Sequence, residues 1–293
     1  MMELRHLRYF VATAEAGTVS GAAARLHLTQ PGLSRQLRQL EKDLGVALFD
    51  RSTSRLELST TGRALLPQAR DLLQRADALK VAASFHAVGR LERLTIGAPT
   101  VTLTDVVAPF IATLAPDDPT TDVLRADGLS PADTLRQGAD LAVGTIPASP
   151  PFREMSLAVL PVWAYVPPGH PWSGRGGVPL ADLVEESLIL LPAAFTARQA
   201  FDAATGDMSS EKSIEAANGT VAQALAAAGR GIAIASDDPR FGLVPLAVET
   251  DGRRLSIRLR AAWDSRHAAA VTIEGFAARL GRFIRDRYDA PAS

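Results

Sequence analysis

The chain has 293 residues, 47% hydrophobic and 22% charged, with a formal net charge of -1 and no cysteine, which excludes disulfides, thiol catalysis and cysteine-held metal. That length has room for two or three compact units. No apolar run reaches membrane-spanning length and Met1-Met2-Glu3-Leu4-Arg5-His6 lacks a signal-peptide core, so a cytoplasmic protein with no membrane partner is expected.

Residues 4–16 read as a first helix with Leu4, Leu7, Val11 and Ala14 inward. Thr18 is a candidate N-cap for a second, which breaks at His27-Leu28-Thr29. Pro31 then sits at the start of a third, where a helix tolerates proline. In that third helix Leu33, Leu37, Leu40 and Leu44 recur at the spacing of one buried face, with Arg35, Arg38, Gln39 and Lys42 opposite. Two helices joined by a tight turn, the second basic outside, follow the helix-turn-helix plan for the DNA major groove. Forked donors of Arg and Gln suit base edges, while Ser34 and Lys42 suit phosphates. A helix pair with a merely solvated charged face fits the same stretch. The local charge favours DNA: through Leu40 there are Arg5, Arg8, Arg25, Arg35 and Arg38 against Glu3 and Glu15.

Gly45 closes the third helix, Arg51-Ser52-Thr53-Ser54-Arg55 reads as a basic turn, and Leu56-Glu57-Leu58 as a short strand, which together make a wing. The run from Leu4 to Gly62, with its AA-RL-L-TQP-LSRQ-LE-LG-LF-R succession and closing T-G, resembles the N-terminal domain of LysR-type transcriptional regulators. By matching position, the resemblance puts DNA contacts on Thr29, Gln30, Pro31, Ser34, Arg35 and Arg38, and wing contacts on Arg51 and Arg55. Two positions depart from the pattern. Gly21 stands inside the second helix, at a cost of about 0.5–1 kcal/mol, and Ser54 stands where relatives often carry arginine.

From Thr61 to about Val88 a helix of roughly 40 Å is expected. Leu66, Leu73 and Lys80, interleaved with Ala69, Ala76 and Ala83, give it a rough heptad, widened by Leu65, Leu72 and Leu79. It reads as a linker that pairs copies of the chain; packing on its own domain is the alternative.

Beyond Leu91 strands and helices alternate: strand 91–96, loop 97–102, helix 103–114, strand 120–125, a helix opened by Ser130-Pro131-Ala132-Asp133 and closed by Gly138, and strand 140–143. That rhythm implies a largely parallel sheet. The stretch Leu135-Arg136-Gln137-Gly138-Ala139-Asp140-Leu141-Ala142-Val143-Gly144 resembles the regulators' effector domain, two-lobed like periplasmic binding proteins. A second lobe should start near Trp163, with strands 188–191 and 231–235 and helices from Thr196 and Asn218. His170 reads as a turn residue, with no partner at metal spacing. After strand 255–263 the chain should return near Ser265–Ala268 to a final helix, Val271–Tyr288, whose Ile273, Phe276, Leu280 and Ile284 face the first lobe.

The expected fold is therefore α/β: a winged helix-turn-helix (1–60), a long linker helix (61–89) and a type II periplasmic-binding-protein-like effector domain (90–293), with lobe I at 90–162 and 267–293 and lobe II at 163–266. A ligand in such a domain sits at the carboxyl ends of strands, facing helix N-termini, which favour anions. Resemblance and loop position assign effector contacts to Thr100, Val101, Thr102, Gly128, Leu129, Phe195, Thr196, Arg198, Asn218, Gly219 and Thr220, and a small organic acid as effector. Each threonine taken singly reads as a plain N-cap ahead of a ligand contact, and Arg198 as either a carboxylate clamp or an exposed first-turn residue. The function expected is a DNA-binding transcriptional regulator modulated by a small molecule. Its implied partners are double-stranded DNA, the effector, further copies of the chain (homodimer or tetramer) and RNA polymerase, with no cofactor. The rivals are a ligand-independent architectural DNA binder and an α/β enzyme. Asp117-Asp118 and Asp237-Asp238 are paired acids beside prolines, which is turn chemistry, and no hydrolase, zinc or nucleotide motif is present.

Overall fold

Thr18 and Thr29 each start a helix. The computed structural model describes residues 2–50, 56–88, 90–206 and 213–291, which divide into an N-terminal unit, residues up to 90 with 136–138, and a second unit of residues 91–135 and from 139 onward. In the first, α1 spans Leu4–Ala16, α2 Val19–Arg25 and α3 Gln30–Leu44. Thr18 Oγ1 accepts from Gly21 N–H at 3.1 Å and Thr29 Oγ1 from Gly32 N–H at 3.3 Å, satisfying donors that a helix start leaves orphaned. A Cβ on Gly21 would stand 2.8 Å from the Thr18 hydroxyl, and one on Gly32 2.9 Å from that of Thr29. The unusual glycine at position 21 thus leaves the capping oxygen its place.

Leu7, Phe10, Ala22, Leu33, Leu37, Leu40, Leu48 and Phe49 form the core of this unit, with the Phe10 and Phe49 rings edge-on at 5.6 Å. Leu4 and Leu44, expected inward, are exposed, because the first and last residues of their helices overhang the packed centre. Strands β1 (Phe49–Asp50) and β2 (Glu57–Leu58) pair antiparallel at the base of the wing; Arg51, Arg55 and the rest of its tip lie outside the described residues. Helix α4 runs over Thr60–Val88, and Gly62 lets it start against the wing, since a Cβ there would lie 2.0 Å from Leu48 O. Its Leu65, Leu66, Ala69 and Leu73 pack on the core, and Arg70–Glu15 (2.9 Å) and Arg8–Asp77 (3.2 Å) tie it to α1. The seam expected to pair copies through Leu66 and Leu73 therefore faces its own unit. Exposed instead are Leu72 (45%) and Leu79 (71%).

The second unit has two lobes. Strands β3 (Arg93–Ala98), β4 (Thr120–Arg125) and β5 (Leu141–Gly144) run parallel; β6 (Phe152–Pro161) and β14 (Ser256–Asp264) complete the sheet in the order β4-β3-β5-β14-β6, with β14 antiparallel to both neighbours. A helical run follows β3: α5 (Thr100–Thr102), a π-helical turn (Leu103–Val107) and α6 (Ala108–Ile111); α7 (Pro131–Arg136) precedes β5. The second lobe holds β7 (Trp163–Val166), β8 (Gly177–Pro179), α8 (Leu180–Leu183), β9 (Leu188–Leu190), α9 (Thr196–Thr205), β10 (Ser213–Glu215), α10 (Gly219–Ala227), β11 (Ile232–Ala235), β12 (Val244–Thr250) and β13 (Arg253–Arg254), with sheet order β10-β9-β11-β7-β12-β13 and β8 on β12. Helix α11 (Ala270–Tyr288) lies on β6 and β14 with Ile273, Phe276, Leu280 and Ile284 buried, and Phe276 meets Phe110 edge-on at 5.3 Å.

Two expectations change. Both sheets are mixed rather than largely parallel, because the strands that carry the chain between lobes return antiparallel. All of β14 pairs within the first lobe, so the return crossing is at Leu255 and not at Ser265–Ala268; the second lobe occupies 163–255. The two crossings are bonded together, Val162 N–H donating to Leu255 O at 2.8 Å.

Candidate functional site

Helix α3 presents Gln30, Pro31, Arg35, Arg38, Gln39 and Lys42 to solvent, opposite buried Leu33, Leu37 and Leu40. Gln30 Nε2 donates to Ser34 Oγ at 3.2 Å and Arg38 Nε to Ser34 O at 3.3 Å, so these three expected DNA contacts form one bonded group. Thr29 is engaged as the cap, and Gln39 leans to Asp43 at 2.9 Å. Thr29, Gln30, Pro31, Ser34, Arg35 and Arg38 thus gather on the start and outer side of one helix. Arg51 and Arg55 lie outside the described residues.

Between the two lobes lies a cavity of about 480 Å³. Of the expected effector positions, Val101, Thr102, Gly128, Leu129, Phe195 and Thr196 line it. Thr196 Oγ1 lies 3.0 Å from Thr145 Oγ1 of the opposite lobe. The others have structural tasks. Thr100 gives its N–H and its hydroxyl to the Asp127 carboxylate, both at 2.7 Å. Arg198 is held by Asp202 one helical turn on (2.7 Å) and by Leu191 O (3.0 Å), away from the lining. Asn218 caps α10 by accepting from Val221 N–H at 2.9 Å; Gly219 and Thr220 follow it outside the lining.

Sequence reasoning missed the charged residues of the cavity: Asp105, Asp127, Asp237 and Asp238. Asp105 comes from the π-helical turn, an irregularity that recurs at functional sites. It accepts from Arg240 Nη2 at 2.6 Å and from Asp238 N–H at 2.9 Å, both of the other lobe. Asp238 accepts from Arg287 at 2.7 Å and lies 2.9 Å from the Tyr288 hydroxyl. Buried Gln223 braces this loop, donating to Asp238 O at 3.0 Å and accepting from Arg240 N–H at 2.6 Å. Asp237 is different. It is 4% exposed, Tyr165 bonds its backbone carbonyl, and its Oδ2 has no hydrogen-bond partner among the described residues. Burial, and then the charge of Asp105, pushes its carboxyl up to about 6. Among the described residues no Lys, Arg or His lines the cavity, and the arginines beside it, Arg240 and Arg287, are held by Asp105 and Asp238, which does not favour the expected organic acid. The signal available in sequence was position: Ser236-Asp237-Asp238 follows the carboxyl end of β11, where ligands of such folds bind.

A winged helix-turn-helix joined to a two-lobed domain around a cavity defines a DNA-binding regulator with a ligand-binding domain. Residues 4–63 match the family model for the bacterial regulatory helix-turn-helix protein, lysR family, and residues 88–284 that for the LysR substrate binding domain. A probable hydrogen peroxide-inducible genes activator of Mycobacterium leprae is 31% identical over 283 residues, 87% of each chain. The HTH-type transcriptional regulator TfdT of Cupriavidus pinatubonensis is 34% identical over 199 residues, 65% of this chain and 86% of that one. Full-length CbnR, solved with its target DNA, shares the fold with a TM-score of 0.66 at 22% identity, over 96% of this chain and 100% of that one. The chain belongs to the LysR family of transcriptional regulators, which are not enzymes.

Proposed function

We propose that α3 reads base edges through Arg35 and Arg38, with Gln30 and Ser34 fixing its register on the phosphates, and that a small molecule bound between the lobes sets the activity. The observation that carries the DNA reading is the exposed, pre-bonded group Gln30–Ser34–Arg38 beside exposed Arg35. A cavity of about 480 Å³ falls within the size range of ligand pockets and supports a sensor over an architectural DNA binder. The mycobacterial relative is named for peroxide induction; this chain has no thiol for an oxidant to reach, which favours a bound ligand as the signal. The exposed Leu72 and Leu79 of α4 are the proposed seam between copies, and action on cytoplasmic DNA through RNA polymerase completes the reading. Among the described residues no helix is long and apolar enough to cross a membrane.

The test is selection of duplexes from a random library by the full chain, followed by Arg35→Ala at fixed salt. Loss of about 1–3 kcal/mol on the selected site, with a smaller loss on random DNA, is expected for a base contact. Equal losses on both would leave Arg35 a phosphate contact.

A further inference from the structure

The ligand chemistry of the cleft follows from its charge balance, and it rests on the reading of that cleft as the effector site. Asp105, Asp237 and Asp238 stand together in the cavity wall, and the guanidinium groups beside them are those of Arg240 and Arg287. Asp105 is matched by Arg240 and Asp238 by Arg287, which leaves the Asp237 charge over. Its Oδ2 is buried and unpartnered, a costly state for a carboxylate. The carboxyl lies against Gly219 at the start of α10, where the Val221 N–H is already taken by Asn218. Asp127, a fourth carboxylate of the lining, is matched by Arg125 at 3.4 Å, and the rest of the wall includes Val101, Leu129, Trp163, Phe195 and Ile257. An entering carboxylate would meet like charge, with Arg198 already held by Asp202. An entering ammonium would supply both the charge and the N–H donors that are missing.

We propose that this cleft takes an apolar molecule bearing a protonated amine, with the amine donating to Asp237 and the apolar body against Trp163 and Phe195. The raised carboxyl of Asp237 agrees with a site whose counter-charge arrives with the ligand.

The experiment uses the full-length protein and matched pairs that differ only in head group: butylamine to octylamine against the corresponding alkanoates, phenethylamine against 3-phenylpropionate, and tryptamine against indole-3-propionate. Thermal shift and calorimetry at pH 7.5 read the binding. Amines should raise Tm and bind at least about tenfold more tightly than their acids. Asp237→Asn should lose that preference, with an apolar body still binding weakly. Acids binding where amines fail would overturn the ligand class and leave the cleft reading standing. Silence of both arms would overturn both. Amine binding undiminished in Asp237→Asn would remove Asp237 as the anchor and with it the proposal.

Discussion

Arg240 donates from Nη2 to Asp105 Oδ1 across 2.6 Å, and the two residues belong to different lobes. The Arg240 side chain is 25% exposed and that of Asp105 8%, so the pair is shielded from water where it spans the lobes. The Asp238 N–H on the other carboxylate oxygen makes Asp105 the post to which the 237–240 loop is tied.

Arg240→Ala should cost about 3 kcal/mol, because it leaves a buried carboxylate without its counter-ion. Urea unfolding of the ligand-binding unit measures this. A change below about 0.5 kcal/mol would make the pair no stronger than an exposed one.

The carboxyl of Asp237 gives a signed pH dependence. Its folded value, about 6, lies above the ordinary 3.8, so between those values the folded state holds a proton that the unfolded chain has released. Stability from this group is present below about pH 4 and is lost as pH rises through 6, by up to about 3 kcal/mol. Tyr165, Asp105, Asp238, Arg240 and the start of α10 surround the group. Asp118, held at about 2 by Arg279, works the other way and lower, losing its contribution as pH falls through that value. Asp237→Asn should therefore be the more stable protein at pH 7.5 and flatten the slope between pH 4 and 6. Parallel urea curves for the two proteins across that range would refute this.

Gly219 is fixed by the same carboxyl. A Cβ there would stand 2.1 Å from Asp237 Oδ2, so Gly219→Ala should destabilise by about 1–3 kcal/mol. In an Asp237→Ala background the same change should cost less than about 0.5 kcal/mol, and a double-mutant cycle reads the difference. Additive costs would place the strain elsewhere.

Charges on α4 should act differently by face. Leu66→Glu and Leu73→Glu put an ion against the core of the N-terminal unit and should lower its melting temperature. Leu72→Glu with Leu79→Glu should spare folding and lower the sedimentation coefficient by separating copies. An unchanged coefficient would rule this face out as the seam.

The elements legible in the sequence are those set by neighbours in the chain. The capping threonines 18 and 29, the closing Gly45 at φ 71 and the Leu33-Leu37-Leu40 stripe depend on contacts a few residues away. Arg198, left open between a clamp and an exposed residue, is settled by an equally local contact, its ion pair with Asp202 four residues on. The sheet that β14 joins was not legible, because an alternating strand carries no mark of its partner. Nor was the cleft charge, since Asp237-Asp238-Pro239 has turn composition and meets Asp105 only through the fold.

The Val162–Leu255 hydrogen bond sets the kind of movement open to the lobes. Two separate tethers would permit sliding and twisting as well as opening. Tethers bonded side by side resist sliding of one past the other and favour bending across the pair of strands. A ligand held between Asp237 and the wall of the first lobe, as proposed above, would then act through how far the lobes bend toward each other.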